Sequence, residues 1–447
     1  MKKMKRLFAW LLVMVFGLVL VACNGDSDTD NGGSSDSDRV ETGSGGDTEP
    51  SGGEDIALTM WILSENSEGL DTIIASFESQ NPGITVEPSL LSVDALRQNL
   101  RVSASSNTLP SFWFNWGGEL ADFYVRNGLT YDLSDFAAAN NWGQQFDAAA
   151  LELATLSGQL AGYPIAMNGL AVYYNRQIFN DLGLEVPTTM DEFHAVSSAL
   201  HAAGITPIST AGTHGWHAMR FLEQLISYYA GPEQHYQLST LAIDWEGNEA
   251  IISAFRTFGE YAANGYMPEG FVSMSPEDLT ILLFTNQAAM QIEGQWFDGV
   301  ILQNDQNMDD WGVFPFPSGA GNNRISGFVE MFQFNANLTP AEVEATVAFL
   351  DYYFAAHNVE AFPSDFSLPV PQYGRADEVP AELVNVIPIM NYMSNNGAFT
   401  ITDQALPTEV LDAFFMAQDS VALGVMTPEE AASHIQRAIE DFRVSGD

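Results

Sequence analysis

The sequence predicts an α/β protein of two lobes built on mostly parallel sheets. Short apolar runs of strand length alternate with runs whose apolar residues recur at helical spacing. The chain is also long, 447 residues with 46% hydrophobic content, which is more than one compact core accommodates.

The folded part opens near Ile56. Ile56 to Leu63 is an apolar run of strand length. Leu70, Ile73, Ile74 and Phe77 then recur at helical spacing until Asn81-Pro82-Gly83 stops them. Ile84-Thr85-Val86 reads as a second strand, and Leu96, Leu100 and Val102 suggest a second helix. Ser111 to Phe114 reads as a third strand. Ligands of parallel sheets sit beyond the carboxyl ends of the strands. That singles out Ser64-Glu65-Asn66 and Asn115-Trp116-Gly117. Later segments are mainly helical: Met190 to Ala203, Trp216 to Tyr229, Glu249 to Asn264, Ala341 to Phe354 and Pro428 to Phe442. The last opens on Thr427-Pro428-Glu429-Glu430, an N-cap, a first-turn proline and the acid of a capping box.

Ahead of this lies an export signal, residues 1–22. Lys2, Lys3, Lys5 and Arg6 form its positive start, and Leu7 to Leu20 is an apolar run of 14 residues. A spanning helix needs about 20 residues. The run ends in Leu20-Val21-Ala22-Cys23, which resembles the bacterial lipobox; an incidental cysteine is the alternative. The resemblance implies that Cys23 is diacylated and becomes the first mature residue. Cys23 is the sole cysteine, so no intrachain disulfide is possible. Residues 23–55 form an acidic linker rich in Gly, Ser, Asp and Thr that is expected to stay disordered. Asp26 to Asp30 imitates the start of a calcium loop, but Asn31 and Ser37 occupy the positions that need Gly and Glu. The net charge is −43, and from Cys23 onward 11 arginines and no lysine face 58 acidic residues. Such a surface repels nucleic acid and anionic lipid. It suits a salty or alkaline exterior, with cation binding as the alternative.

Several segments resemble, in order, the family 1 bacterial extracellular solute-binding proteins, the sugar-binding lipoproteins of ABC importers distantly similar to maltose-binding protein. Gly162-Tyr163-Pro164-Ile165-Ala166 precedes Val172-Tyr173-Tyr174-Asn175-Arg176. Then come Leu182-Gly183-Leu184, Val186-Pro187-Thr188-Thr189-Met190-Asp191-Glu192-Phe193 and Gly204-Ile205-Thr206-Pro207-Ile208. Glu293-Gly294-Gln295-Trp296 and Trp311-Gly312-Val313-Phe314-Pro315-Phe316-Pro317 follow. The resemblance implies a type II periplasmic-binding-protein fold with a ligand cleft between two lobes. Residues 56–167 plus 291–330 would form one lobe, and 168–290 plus 331–447 the other. Crossings are implied near Asn168, Gln291 and Glu330.

A sugar site needs aromatic rings for the flat C–H faces and fixed polar groups for the hydroxyls. Carried over residue by residue, the family's contact positions fall on Glu65, Asn115, Trp116, Glu119, Asn168, Trp216, Trp296 and Phe415. Each has a structural alternative: core packing for the rings, turn roles for the asparagines, a helix N-terminal charge for Glu65. His214 and His217, with His235 beyond, are too few and too loosely spaced for zinc and read as core or rim residues. No phosphate-binding glycine loop, nucleophile elbow or cysteine nucleophile is present, and acidic pairs alone do not make a glycosidase. The expected protein is a binding module without cofactor or metal, monomeric, lipid-anchored on the outer face of the cell membrane. It would pass a carbohydrate, with the aromatics favouring an oligosaccharide, to permease subunits. A glycan-active surface enzyme and a sensor subunit are the alternatives.

Overall fold

The computed structural model describes residues 55–64, 67–146, 148–318, 324–366 and 379–445. The chain divides into Met1–Gly52, all outside the described residues, and a compact unit Gly53–Asp447. The expected signal, the linker except Asp55, Cys23 and Glu65 therefore lie outside the described residues.

The compact unit holds eleven strands among the described residues: β1 (Ile56–Leu63), β2 (Ile84–Leu91), β3 (Phe112–Trp116), β4 (Thr155–Leu156), β5 (Gln159–Leu160), β6 (Tyr163–Asn175), β7 (Thr206–Ile208), β8 (Ala288–Gly294), β9 (Trp311–Phe314), β10 (Ile325–Phe334) and β11 (Ala398–Thr400). One sheet runs β2-β1-β3-β10-β6-β8-β7, with β11 beside β10 and β9 beside β6. Helix Leu70–Gln80 links β1 to β2, and helix Val93–Ser106 links β2 to β3. Such crossovers are what parallel neighbours require, and β1 pairs in parallel with both. Ser92 caps the second helix by accepting the Ala95 N–H at 3.4 Å, and Asn107 ends it in the left-handed region at φ 56°. Pro88 lies inside β2, where it is tolerated because β2 is the sheet edge.

The expectation of mostly parallel sheets is corrected at the centre. β10 runs antiparallel to β3 and β6, and β6 runs antiparallel to β8 and β9. β6 is long because it serves two sets of partners. Tyr163 to Gly169 pairs with β10, whereas Leu170 to Asn175 pairs with β8 and β9. At the changeover the Gln295 side chain stands in for a strand: its Oε1 accepts the Gly169 N–H at 2.9 Å and its Nε2 donates to the Met167 carbonyl at 2.7 Å.

The expected lobe boundaries are corrected too. β8 and β9 pair with the second half of β6, so 291–314 belongs with that half. Helix Pro340–Tyr353 packs on the first half: Phe349 meets Phe77 and Phe112 at centroid distances of 5.3 and 6.0 Å. The chain thus crosses within β6, beside Asn168, again between β9 and β10 rather than at Glu330, and a third time between helix Pro340–Tyr353 and helix Thr408–Ala422. No crossing lies at Gln291, because β8 never leaves the second half. Helices Trp216–Ser239, Glu249–Ala263, Thr408–Ala422 and Pro428–Ser445 pack together on that side.

Candidate ligand-binding cleft

A cavity of about 360 Å³ opens where the two halves of the sheet meet. Its walls come from the β1–β3 side (Leu63, Asp94, Arg97, Trp116), the β7–β8 side (Trp216, Arg220, Glu293, Trp296), β10 (Phe328, Glu330) and the segment after β11 (Asp403, Gln404). Helices Pro276–Phe284 and Phe297–Gln303 extend one wall outward. A second, more open hollow of about 520 Å³ around Ile205, Met267 and Phe271 has neither tryptophan nor arginine in its walls.

Three tryptophans face the cavity, each beside a guanidinium. Arg97 lies over the Trp116 ring at 4.5 Å. Arg220 lies over Trp216 at 4.8 Å and over Trp296 at 5.2 Å. Strand alternation explains Trp116: β3 continues through it, so Trp116 faces the cleft and Asn115 the opposite side. Helical spacing explains the second pair, because Trp216 and Arg220 are four apart on one helix face.

Each residue of Glu293-Gly294-Gln295-Trp296 has a separate task. Gln295 bridges β6 as described. Gly294 leaves room for the Trp296 ring, which a Cβ there would overlap. Glu293 is the charge centre. Its Oε2 accepts from Arg220 Nη1 at 2.5 Å and Trp296 Nε1 at 3.1 Å, and its Oε1 accepts from Gln291 Nε2 at 2.8 Å. His217 Nε2 lies 3.0 Å from the same Oε1. Burial pushes the Glu293 carboxyl up, but the Arg220 charge and the donors from His217 and Gln291 outweigh it and hold it at about 2. Burial lowers His217, which is therefore neutral. The Ala211 N–H donates to its Nδ1 at 3.1 Å, which puts the ring proton on Nε2, where it donates to Glu293.

The first turn of helix Val93–Ser106 reaches across the cleft. Asp94 Oδ2 meets His214 Nε2 at 2.9 Å, and its Oδ1 accepts from Trp216 Nε1 at 3.4 Å. Arg97 Nη2 donates to Asp403 Oδ2 at 3.0 Å.

Of the residues expected at the site, the structure brings Trp116, Trp216 and Trp296 together around the cavity. Asn115 is turned away: its Nδ2 donates to Gln333 at 2.7 Å and its Oδ1 accepts the Trp116 N–H. Glu119 is held at the surface by Arg126 at 2.8 Å. Phe415 packs against Gly215, whose φ of +77° and lack of a Cβ make room for the ring; it braces the loop that carries Trp216. Asn168 is wholly buried opposite Phe328 in the sheet and does not line the cavity; neither of its amide atoms is bonded. The sequence reading missed Asp94, Arg97, Arg220, Glu293 and Asp403. Arg220 left a signal, four residues after a tryptophan already singled out. Asp94 and Arg97 sit three apart in a first turn, but nothing local tells that turn's direction.

The model of the bacterial extracellular solute-binding protein family matches residues 63–359. The chain belongs to this family. Over 274 residues this solute-binding protein is 27% identical to the osmoprotective compounds-binding protein of Synechocystis sp., covering 59% of this chain and 64% of that one. It is 26% identical over 277 residues to the multiple sugar-binding protein of Streptococcus mutans serotype c, covering 58% and 61%. The chain therefore spans under two thirds of these relatives' length. Among solved structures, a chitin oligosaccharide binding protein superposes with a TM-score of 0.76 at 23% identity, covering 87% of this chain and 99% of that one. The maltose-bound MalE3 of T. maritima does so with a TM-score of 0.70 at 17% identity, covering 87% and 100%. These likenesses establish the fold as the type II periplasmic-binding arrangement. The family is one of binding proteins, not of enzymes.

Proposed function

We propose that this solute-binding protein captures a carbohydrate in the tryptophan-lined cleft and delivers it to an ATP-driven importer. The observation that carries the reading is the meeting of Trp116, Trp216 and Trp296 in one cavity with carboxylates and guanidiniums between them. Indole faces suit sugar C–H faces, and the fixed polar groups suit hydroxyls, which must be paired once buried. Relatives named for sugar binding and neighbours named for chitin oligosaccharide and maltose support it. The cleft walls come from both halves of the sheet, so a bound ligand would favour the closed arrangement of the two. The permease subunits of the importer would read that closed form.

In the same proposal Cys23 carries the lipid, residues 23–55 tether the compact unit to the outer face of the cell membrane, and the protein acts as a monomer. Trp116, Trp216 and Trp296 are the stacking residues, and Asp94, Arg97, Glu293 and Asp403 the polar frame.

A thermal-shift series on the full chain with chitin oligosaccharides, raffinose, xylo-oligosaccharides and maltose tests this. A ligand at 100 times its dissociation constant adds about 2.7 kcal/mol of stability. One sugar class should raise the melting temperature, and Trp296→Ala should remove most of that rise through a loss of about 2 kcal/mol in binding. If no sugar shifts the melt, the carbohydrate reading fails.

A further inference from the structure

Arg220 and Glu293 are both buried, 8% and 5% exposed, and they form the shortest ion pair of the cleft. The Arg220 guanidinium carbon lies over two indoles that come from different elements, 4.8 Å from Trp216 at the head of its own helix and 5.2 Å from Trp296 after β8. Its edge is anchored by Glu293, with the Ile292 carbonyl 3.4 Å from the same Nη1. Glu293 in turn holds the Trp296 Nε1–H. A planar group with fixed donors, in contact with two rings at once, constrains where both can lie. Neither charge can swing out alone, because each would leave the other buried and unpaired. On Glu293's far side, His217 and Gln291 fix its second oxygen.

We propose that the Arg220–Glu293 pair is the positioning element of the cleft, setting the spacing and tilt of Trp216 and Trp296 before any ligand arrives. Arg220 covers one face of each indole, so a ligand meets the faces turned away from it. The cage is preformed, and binding does not have to order two large side chains, which otherwise weakens affinity. This rests on the carbohydrate reading only for the choice of ligand; the geometry of the cage stands without it.

The test pairs calorimetric titration of the full chain with ¹H–¹⁵N spectra of its indole groups, using chitin oligosaccharides, raffinose and maltose as probes. Arg220→Lys keeps the charge and loses the plane. It should stay folded without ligand, weaken binding of the best probe by about tenfold or more, and move the Trp216 and Trp296 indole signals while leaving in place that of Trp142, which packs on Tyr163 at the start of β6. Arg220→Met combined with Glu293→Gln removes both charges together and should show the same losses in a folded protein. Unchanged affinity in Arg220→Lys overturns the proposal. So does weakened affinity with unmoved indole signals, which would make Arg220 a ligand contact only. If the parent chain binds none of the probes, the carbohydrate reading fails, and the indole signals alone decide the positioning role: moved supports it, unmoved overturns it.

Discussion

Glu223 lies one turn beyond Arg220 on the same helix and is wholly buried. Its Oε2 accepts the Thr402 N–H at 2.8 Å, next to Asp403. Burial, reinforced by the charge of Asp403, raises its carboxyl from 4.5 to about 8 despite hydrogen bonds that pull it down. Below about pH 4.5 folded and unfolded chains both hold this proton. Between about 4.5 and 8 only the folded chain does, so stability falls as pH rises through that window, and the penalty is complete above about 8. Glu223→Gln removes the titration. It should melt like the parent near about pH 4 and higher than the parent near about pH 9, measured by calorimetry across the range. A gap between the two proteins that does not change with pH would refute this. Glu293 has the opposite sign: its lowered carboxyl contributes stability above 4.5 that is lost as pH falls through about 2.

Helix Trp216–Ser239 illustrates how one element is divided between two tasks. Its first part presents Trp216 and Arg220, four apart, to the cleft, while Glu223, three further on, is wholly buried against Thr402. At Gly231 the backbone takes φ 68° and ψ 175°, and Pro232 follows. Proline disfavours helical geometry in the residue before it, and this positive-φ region is open to glycine alone. The expected helix ended at Tyr229, whereas a second helical stretch resumes beyond the kink and runs to Ser239. Gly231→Ala meets no neighbour within 4 Å, so its cost is backbone strain only. It should destabilise the fold by about 1–3 kcal/mol in urea unfolding while leaving the indole signals of the cleft unchanged. An unaltered unfolding midpoint would mean that the kink is not held.

Across the whole molecule, 58 acidic residues face 15 basic ones. Exposed pairs such as Arg256–Glu429 and Arg443–Asp244, both at 3.3 Å, contribute little each, about 0–1 kcal/mol. Self-repulsion therefore dominates the surface. Salt shortens the screening length from about 10 Å at 0.1 M to about 3 Å at 1 M. The melting temperature should rise steadily with sodium chloride across that range, checked by calorimetry on the full chain. A flat or falling profile would mean that the acidic residues are already neutralised by bound cations.

Much of the fold was legible because its signals are local. Apolar periodicity located β1, the helix Leu70–Gln80 and the long helices of the second half. Capping chemistry located the start of the last helix, where Thr427 Oγ1 accepts the Glu430 N–H at 3.1 Å. The tryptophans of the cleft were singled out by the family resemblance, and Trp116 also by its place past a strand end, not by any pattern that tells a binding ring from a core ring. What tertiary structure alone decided was direction and company. The expected third strand stopped at Phe114; β3 runs two residues further, and that shift turned Asn115 inward and Trp116 towards the cavity. Sheet order, which no local pattern contains, made the centre antiparallel and moved the lobe boundaries. It also brought Arg97 to Asp403 and Arg220 to Glu293, partners 306 and 73 positions apart. Side-chain type and spacing are properties of a segment, whereas convergence on one cavity depends on how strands distant in sequence lie side by side.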